Sequence, residues 1–232
     1  APSLDLVPVD ELREAADRAF SSHPEHCFSY GPAAGHPLLV EWIAARHRVT
    51  ADQVFATNGS MQADAFFFQE LVEPGDLVVV EAPTYDRTLL MLRELGAEIL
   101  AIPLEADGLD VGALERALDA GARPRFAHVI PNFQNPAGCT LSREKRERLL
   151  ALARRYDFLI FEDDPYVEVR FAGEPLPRIF DLDAERRHVV YVSSFTKTVC
   201  PGVRVGYVLG DSELVARLRR RATNTYISPC VA

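Results

Sequence analysis

Lys197 stands in the segment SSFTK, directly after the apolar run VVYV and inside a turn rich in serine and threonine. A lysine amine attacks aldehydes or carries a proton once burial or a cationic neighbour lowers its pKa. The position after such an apolar run sets Lys197 apart from a solvated surface lysine. Other polar residues occupy matching places past other apolar runs. Gly59 and Ser60 follow VFAT, Tyr85 follows VVVEAPT, Asn135 follows HVIPNFQ, Asp163, Asp164 and Tyr166 follow FLIFE, and Ser194 precedes the lysine itself. A Gly-Ser helix start can present backbone N–H groups to an anion, although serine there is equally an ordinary cap.

These positions need elements to bring them together. Helical patterns lie near Val9 to Phe20 and from Pro37 to His47, the latter with Leu38, Leu39, Trp42 and Ile43 on or near one face. From Gln53 onward short apolar segments alternate with helical ones, the helices falling near 60–71, 85–95, 111–120, 142–155 and 212–222. The strand segments are VFAT, DLVVVEAP, AEILAIPL, RFAHVIP, DFLIFEDD, RHVVYVSSF and RVGYVLG. Several are nearly continuous apolar runs, as expected of central strands in a mostly parallel sheet covered on both faces. The pattern predicts an α/β fold, a three-layer αβα sandwich with about seven strands, whose ligand site lies beyond the C-terminal strand ends. The stretch from Tyr166 to Glu185 reads as a surface excursion.

The chain has 232 residues, 48% of them hydrophobic and 25% charged, enough to bury a substantial core. Its formal charge of -9 argues against a general nucleic-acid or anionic-membrane surface. The four arginines of RLRRRA (217–222) read as a solvated helix face. No apolar run is long enough for a membrane helix, and the first twenty residues lack the pattern of a signal peptide. Cys27, Cys139, Cys200 and Cys230 are widely spaced, which suits cytoplasmic thiols better than zinc or disulfides. His26, His36, His47 and His128 share no metal-ligand spacing and are expected to be loop or solvated residues, so no metal is predicted.

The segments SSFTKTVCPGVRVGY, NFQNPAG, IFEDDPY, NGSMQ and EAPTY together resemble the class I/II aminotransferases, fold type I pyridoxal-phosphate enzymes. The similarity is greatest to the subgroup of 2-aminoadipate-type aminotransferases and the aminotransferase-like domains of MocR regulators, and it covers about residues 28 to 232. It implies the cofactor pyridoxal 5'-phosphate (PLP) and makes Lys197 the lysine that forms the Schiff base and serves as general acid and base. Chemistry alone leaves Asp163 and Asp164 as alternatives for pairing with the pyridine nitrogen. The family spacing selects Asp163 with Tyr166, leaving Asp164 as a helix or turn cap. Asn135 and Tyr166 would bind the cofactor's 3'-oxygen, with Pro136 and Gly138 shaping the turn. Gly59, Ser60, the backbone of Met61, Ser194, Thr196 and Arg204 would hold the phosphate, and Tyr85 would stack on the ring.

Tyr30 in SYGPAAG resembles the tyrosine that reaches the neighbouring subunit's cofactor, implying a homodimer. The resemblance divides the chain into an N-terminal segment, 1–29, and a PLP-binding large domain, 30–232. It leaves the C-terminal small domain, with its substrate-carboxylate arginine, absent. The implied activity is cytoplasmic amino transfer between an α-amino acid and a 2-oxo acid, without nucleic-acid or membrane partners. The alternatives are an effector-sensing domain of a transcription regulator or another PLP-dependent lyase or decarboxylase.

Overall fold

The structure is a computed structural model that describes residues 3–229, so Cys230 lies outside the described residues. In chain order the helices and strands are α1 (Val9–Ser22), α2 (Pro24–Phe28), α3 (Pro37–His47), β1 (Val54–Thr57), α4 (Ser60–Leu71), β2 (Leu77–Ala82) and α5 (Asp86–Glu94). Next come β3 (Glu98–Glu105), β4 (Gly108–Leu109), α6 (Val111–Asp119), β5 (Phe126–Val129), α7 (Arg143–Tyr156) and β6 (Leu159–Asp163). The last are α8 (Ile179–Leu182), β7 (Val189–Ser194), β8 (Gly206–Leu209) and α9 (Ser212–Tyr226). The chain forms two compact units, one of residues 67–192 and one of residues 1–66 with 193–232.

In the 67–192 unit, β2 pairs in parallel with β3 and β5, β5 with β6, and β6 with β7. The apolar runs make this possible, because a strand between two parallel neighbours loses both faces to packing. Every residue of β5 and β7 is buried. The mostly aliphatic core contains an aromatic cluster. Phe67 and Phe161 have ring centroids 4.6 Å apart, Phe67 and Phe126 5.1 Å, and Phe68 stacks on Phe126 at 5.4 Å. Among the described residues there are eight strands, against about seven expected. The addition is β4, two residues antiparallel to the end of β3 and too short to show a period.

The stretch from Tyr166 to Glu185 is only partly a surface excursion. Phe171 is fully exposed, but α8 buries Ile179 and Phe180 completely. Glu162 explains the turn inward: its buried carboxylate accepts the N–H groups of Ile179 and Phe180, each at 2.8 Å.

In the other unit β1 and β8 pair antiparallel, Val54 opposite Leu209. The buried stripe of α3 is Val40, Ile43, Ala44 and His47, whereas Leu38 and Trp42 are about half exposed, so the expected face is rotated toward His47. His47 earns its buried place through a 2.9 Å hydrogen bond to the Tyr207 hydroxyl. Nor is the arginine run of α9 wholly solvated: Arg219 donates to the carbonyls of Ala51 and Val54. Cys27, Cys139 and Cys200 are thiols without disulfide partners. Among the described residues no helix is long and apolar enough to cross a membrane.

Phe161→Ala removes a fully buried ring from the aromatic cluster. It is expected to cost about 3–5 kcal/mol of unfolding free energy, measured as a shift of the urea transition midpoint.

Candidate functional site

In the 1–66/193–232 unit the chain leaves β1 through Asn58 and Gly59 and enters α4 at Ser60. Gly59 has φ +82°, and a Cβ there would lie 2.2 Å from Nη2 of Arg204. A Cβ on Gly206 would lie 2.6 Å from the carbonyl carbon of Gly59. Backbone, guanidinium and helix start are therefore pressed together in a space that only glycines leave open. Arg204 donates from Nη2 to the Asn58 carbonyl at 3.1 Å and from Nη1 to the Pro201 carbonyl at 3.3 Å. Asn58 N–H donates to the side chain of Gln62, which fixes the first turn of α4.

The lysine turn has its own brace. Ser194 Oγ lies 2.7 Å from Thr196 Oγ1 and 3.1 Å from the Val205 carbonyl, and it accepts Thr196 N–H at 3.1 Å. Phe195 N–H also donates to Val205. The turn holding Lys197 is thus tied to the strand that follows Arg204. Met61 is substantially exposed, at 41%. Tyr30 stands apart from these residues: it is 82% exposed and lines a hollow of about 130 Å³ with His26, His36 and Ser228. Nearby on the surface, His23, Glu25 and His26 bring possible ligand atoms within 4.8 Å of one another, a proximity the sequence reading did not register.

The sequence contains two lysines, Lys197 and Lys145, and the second is held in ion pairs. Lys145 Nζ lies 2.5 Å from a Glu105 oxygen and 2.6 Å from an Asp107 oxygen, with its side chain 14% exposed. Burial works to lower its pKa, but the hydrogen bonds from Asp107 and Glu105 outweigh it and raise the value above the ordinary one. An ammonium held this way is a poor nucleophile.

In the 67–192 unit the residues expected of the ring site come together. Tyr166 and Asn135 share a side-chain hydrogen bond, and burial first, then the Asp163 and Tyr85 charges, push the Tyr166 pKa up. Asp163 is buried and its Oδ1 has no hydrogen-bond partner among the described residues. Burial first, and Asp164 second, raise its pKa to about 7. An orphaned buried carboxylate oxygen is what a ring N–H of a bound heterocycle would satisfy.

His128 overturns its expected loop or solvent setting. It is fully buried on β5, with Nε2 3.9 Å from Asp163 Oδ2 and 3.5 Å from Thr88 Oγ1. Burial lowers its pKa to about 4, so it is a neutral imidazole beside Asp163 and not an ion-pair partner.

Asp164 is more than a cap. Both its oxygens accept from Asn132 Nδ2, at 2.9 and 3.0 Å. Asn132 Oδ1 in turn accepts from the buried guanidinium of Arg146 at 3.0 Å, and from Arg170. Glu81, at the end of β2, accepts from Ile130 N–H and Gln134 Nε2. The sequence reading missed Glu81, Asn132, Gln134, Arg146 and Glu162 as site supports. The available signal was an acidic residue inside each of the apolar runs VVVEAP and FLIFEDD, since a buried charge demands partners.

Each unit by itself offers donors or acceptors that PLP could use: in 67–192 an unpartnered buried carboxylate for a ring N–H, and in 1–66/193–232 a glycine-lined helix start beside a guanidinium for a phosphate. The burial of Asp163 also has a pH signature. Its unfolded pKa is near 3.8 and its folded value about 7, so the folded state holds the extra proton and stability falls as pH rises between those values. Asp163→Asn is therefore expected to stabilise the cofactor-free protein at pH 8 and to leave it unchanged near pH 4, read from urea transitions at both pH values. An equal gain at both would contradict this assignment.

The family described as aminotransferase class I and II matches residues 2–232. Aromatic-amino-acid aminotransferase 1 of Thermococcus litoralis is 36% identical over 227 residues, covering 94% of this chain and 54% of the relative. The 2-aminoadipate transaminase of Thermus thermophilus is 34% identical over 219 residues, covering 94% and 55%. Pyrococcus horikoshii kynurenine aminotransferase, solved in complex with PMP, superposes with a TM-score of 0.93 at 32% identity, covering 99% of this chain and 59% of that one. The chain thus spans about half the length of the relatives it matches. With the five motifs, the α/β fold and the whole-chain match in agreement, the chain belongs to the aminotransferase class I and II family.

Proposed function

We propose that this chain is the cofactor-binding part of a PLP-dependent aminotransferase that moves an amino group between an α-amino acid and a 2-oxo acid. The observation that carries the reading is Asp163, buried with an Oδ1 that has no hydrogen-bond partner among the described residues, which is the acceptor a pyridine N–H requires. PLP supplies an aldehyde carbon and an electron-withdrawing ring. In this reading Lys197 Nζ anchors the cofactor, then takes the α-proton of the amino acid and later gives a proton back. Asp163 Oδ1 receives the ring N–H. Asn135 and the Tyr166 hydroxyl hold the ring oxygen, and Tyr85 covers the ring face.

Gly59 and Ser60 at the helix start, the backbone N–H of Met61, the hydroxyls of Ser194 and Thr196 and the guanidinium of Arg204 take the phosphate. The domain assignment that accompanies this reading is a PLP-binding domain over 30–232 preceded by the segment 1–29. Tyr30, exposed as it is, is assigned to a partner subunit's site in a cytoplasmic homodimer.

The test is addition of PLP to the purified protein, borohydride reduction and peptide mapping. The expected result is a visible absorbance band and a phosphopyridoxyl mass on the Lys197 peptide, kept in Lys145→Arg and lost in Lys197→Ala. An adduct on Lys145 alone, or none, overturns the assignment.

A further inference from the structure

Glu81 has no part in the chemistry just described, yet it sits 2% exposed at the end of an apolar parallel strand. A carboxyl group in such a place must serve its hydrogen bonds. Its Oε2 accepts Ile130 N–H at 3.1 Å and Gln134 Nε2 at 2.9 Å. Gln134, itself 2% exposed, spends its amide in three directions. Nε2 donates also to the Pro83 carbonyl, and Oε1 accepts Ala137 N–H, both at 2.9 Å. Its backbone N–H donates to the Cys139 carbonyl, and its own carbonyl accepts Gly138 N–H. The turn 134–139 is therefore closed on itself by the backbone of Gln134 and fastened to the end of β2 by its side chain. The next residue is Asn135, whose side chain hydrogen-bonds Tyr166.

We propose that Glu81 and Gln134 form a strut whose function is to position Asn135, and through it Tyr166, against the ring oxygen of the cofactor. The inference rests on the PLP reading above. Glu81 is a positioning residue, acting through Gln134. Its protonation suits the role: burial first pushes its pKa to about 8, and the nearby Asp163 charge acts in the same direction. At neutral pH the strut is mostly uncharged and sets no full second anion near Asp163. Its hydrogen bonds to Ile130 and Gln134 need only an acceptor oxygen, which a neutral carboxyl or an amide provides equally.

The experiment is a PLP titration of the whole chain, followed by absorbance, for the wild type, Glu81→Leu, Glu81→Gln, Gln134→Met, Asn135→Ala and the double variant Glu81→Leu/Asn135→Ala. Melting curves without cofactor run alongside. Glu81→Leu and Gln134→Met are expected to weaken PLP binding about ten- to thirtyfold, the scale of an unpaired buried polar group. Glu81→Gln should stay within about threefold, since its amide oxygen keeps both acceptor contacts. The double variant should bind like Asn135→Ala alone, because a strut has nothing to add once its cargo is gone.

Full additivity in the double variant, or wild-type affinity in both Glu81→Leu and Gln134→Met, overturns the strut. So does a Glu81→Gln loss as large as that of Glu81→Leu. Should Glu81→Leu fail to fold, Gln134→Met paired with Asn135→Ala gives the same cycle. Failure of the wild type itself to bind PLP overturns the function reading instead, so the two failures are distinct.

Discussion

The buried guanidinium of Arg146 is the constraint on which the 67–192 unit depends. A permanent charge with no solvent exposure is tolerable only if acceptors surround it, and breaking such a set by removing one partner costs about 3–5 kcal/mol. Arg146 finds its acceptors in the carbonyls of Leu141, Pro131 and Pro177 and in Asn132 Oδ1. Those groups come from the loop after β5 and from the segment before α8. One side chain on α7 therefore dictates the course of both connections. Asn132 passes the constraint on to Asp164, and so to the end of β6, one residue from Asp163. The residues assigned to cofactor binding in this unit hang from a frame that uses none of them.

The same unit is rich in buried acids whose ordinary ionisation is suppressed. Burial pushes Glu81 to about 8, Glu162 to about 7, Asp163 to about 7 and Asp164 to about 6. Three of the four accept identifiable hydrogen bonds: Glu81 from Gln134, Glu162 from the start of α8, Asp164 from Asn132. Asp163 differs in having an oxygen left over. Its neighbour His128, neutral and buried, contributes no positive charge to offset it. A cationic N–H arriving at Asp163 would relieve a cost already present in the folded chain, and binding that relieves such a cost stabilises the fold by mass action.

Much of this was legible in the sequence because apolar runs report burial directly. The strands from VFAT to RVGYVLG appear where the runs predict them, and the polar residues past their ends include those that the structure gathers within each unit. What failed to show has physical reasons. Two residues, Gly108 and Leu109, cannot display a period, so β4 was invisible. His128 lay in a recognised strand, RFAHVIP, but a single imidazole does not announce whether the sheet covers it on both sides. Leu38 and Trp42 are as apolar as Val40 and Ile43, so composition could not say which stripe of α3 turns inward. Asp163 and Asp164 are chemically identical. Only the fold shows that one is bound by Asn132 while the other keeps an open oxygen.

The pairing of Gly59 with Gly206 also bears on how this sequence can drift. The two lie 147 positions apart in the chain, by subtraction of their numbers, yet a methyl group on Gly206 would run into the backbone of Gly59 and Ser60. A Cβ on Gly59 would instead meet the guanidinium of Arg204, and its φ of +82° disfavours any larger residue. Rigid backbone cannot yield as a flexible side chain can. A larger residue at Gly206 therefore needs the Gly59–Ser60 backbone displaced, whereas one at Gly59 needs Arg204 moved and a left-handed backbone tolerated. A homologous chain with a larger residue in place of Gly206 must have rebuilt the loop around its helix start.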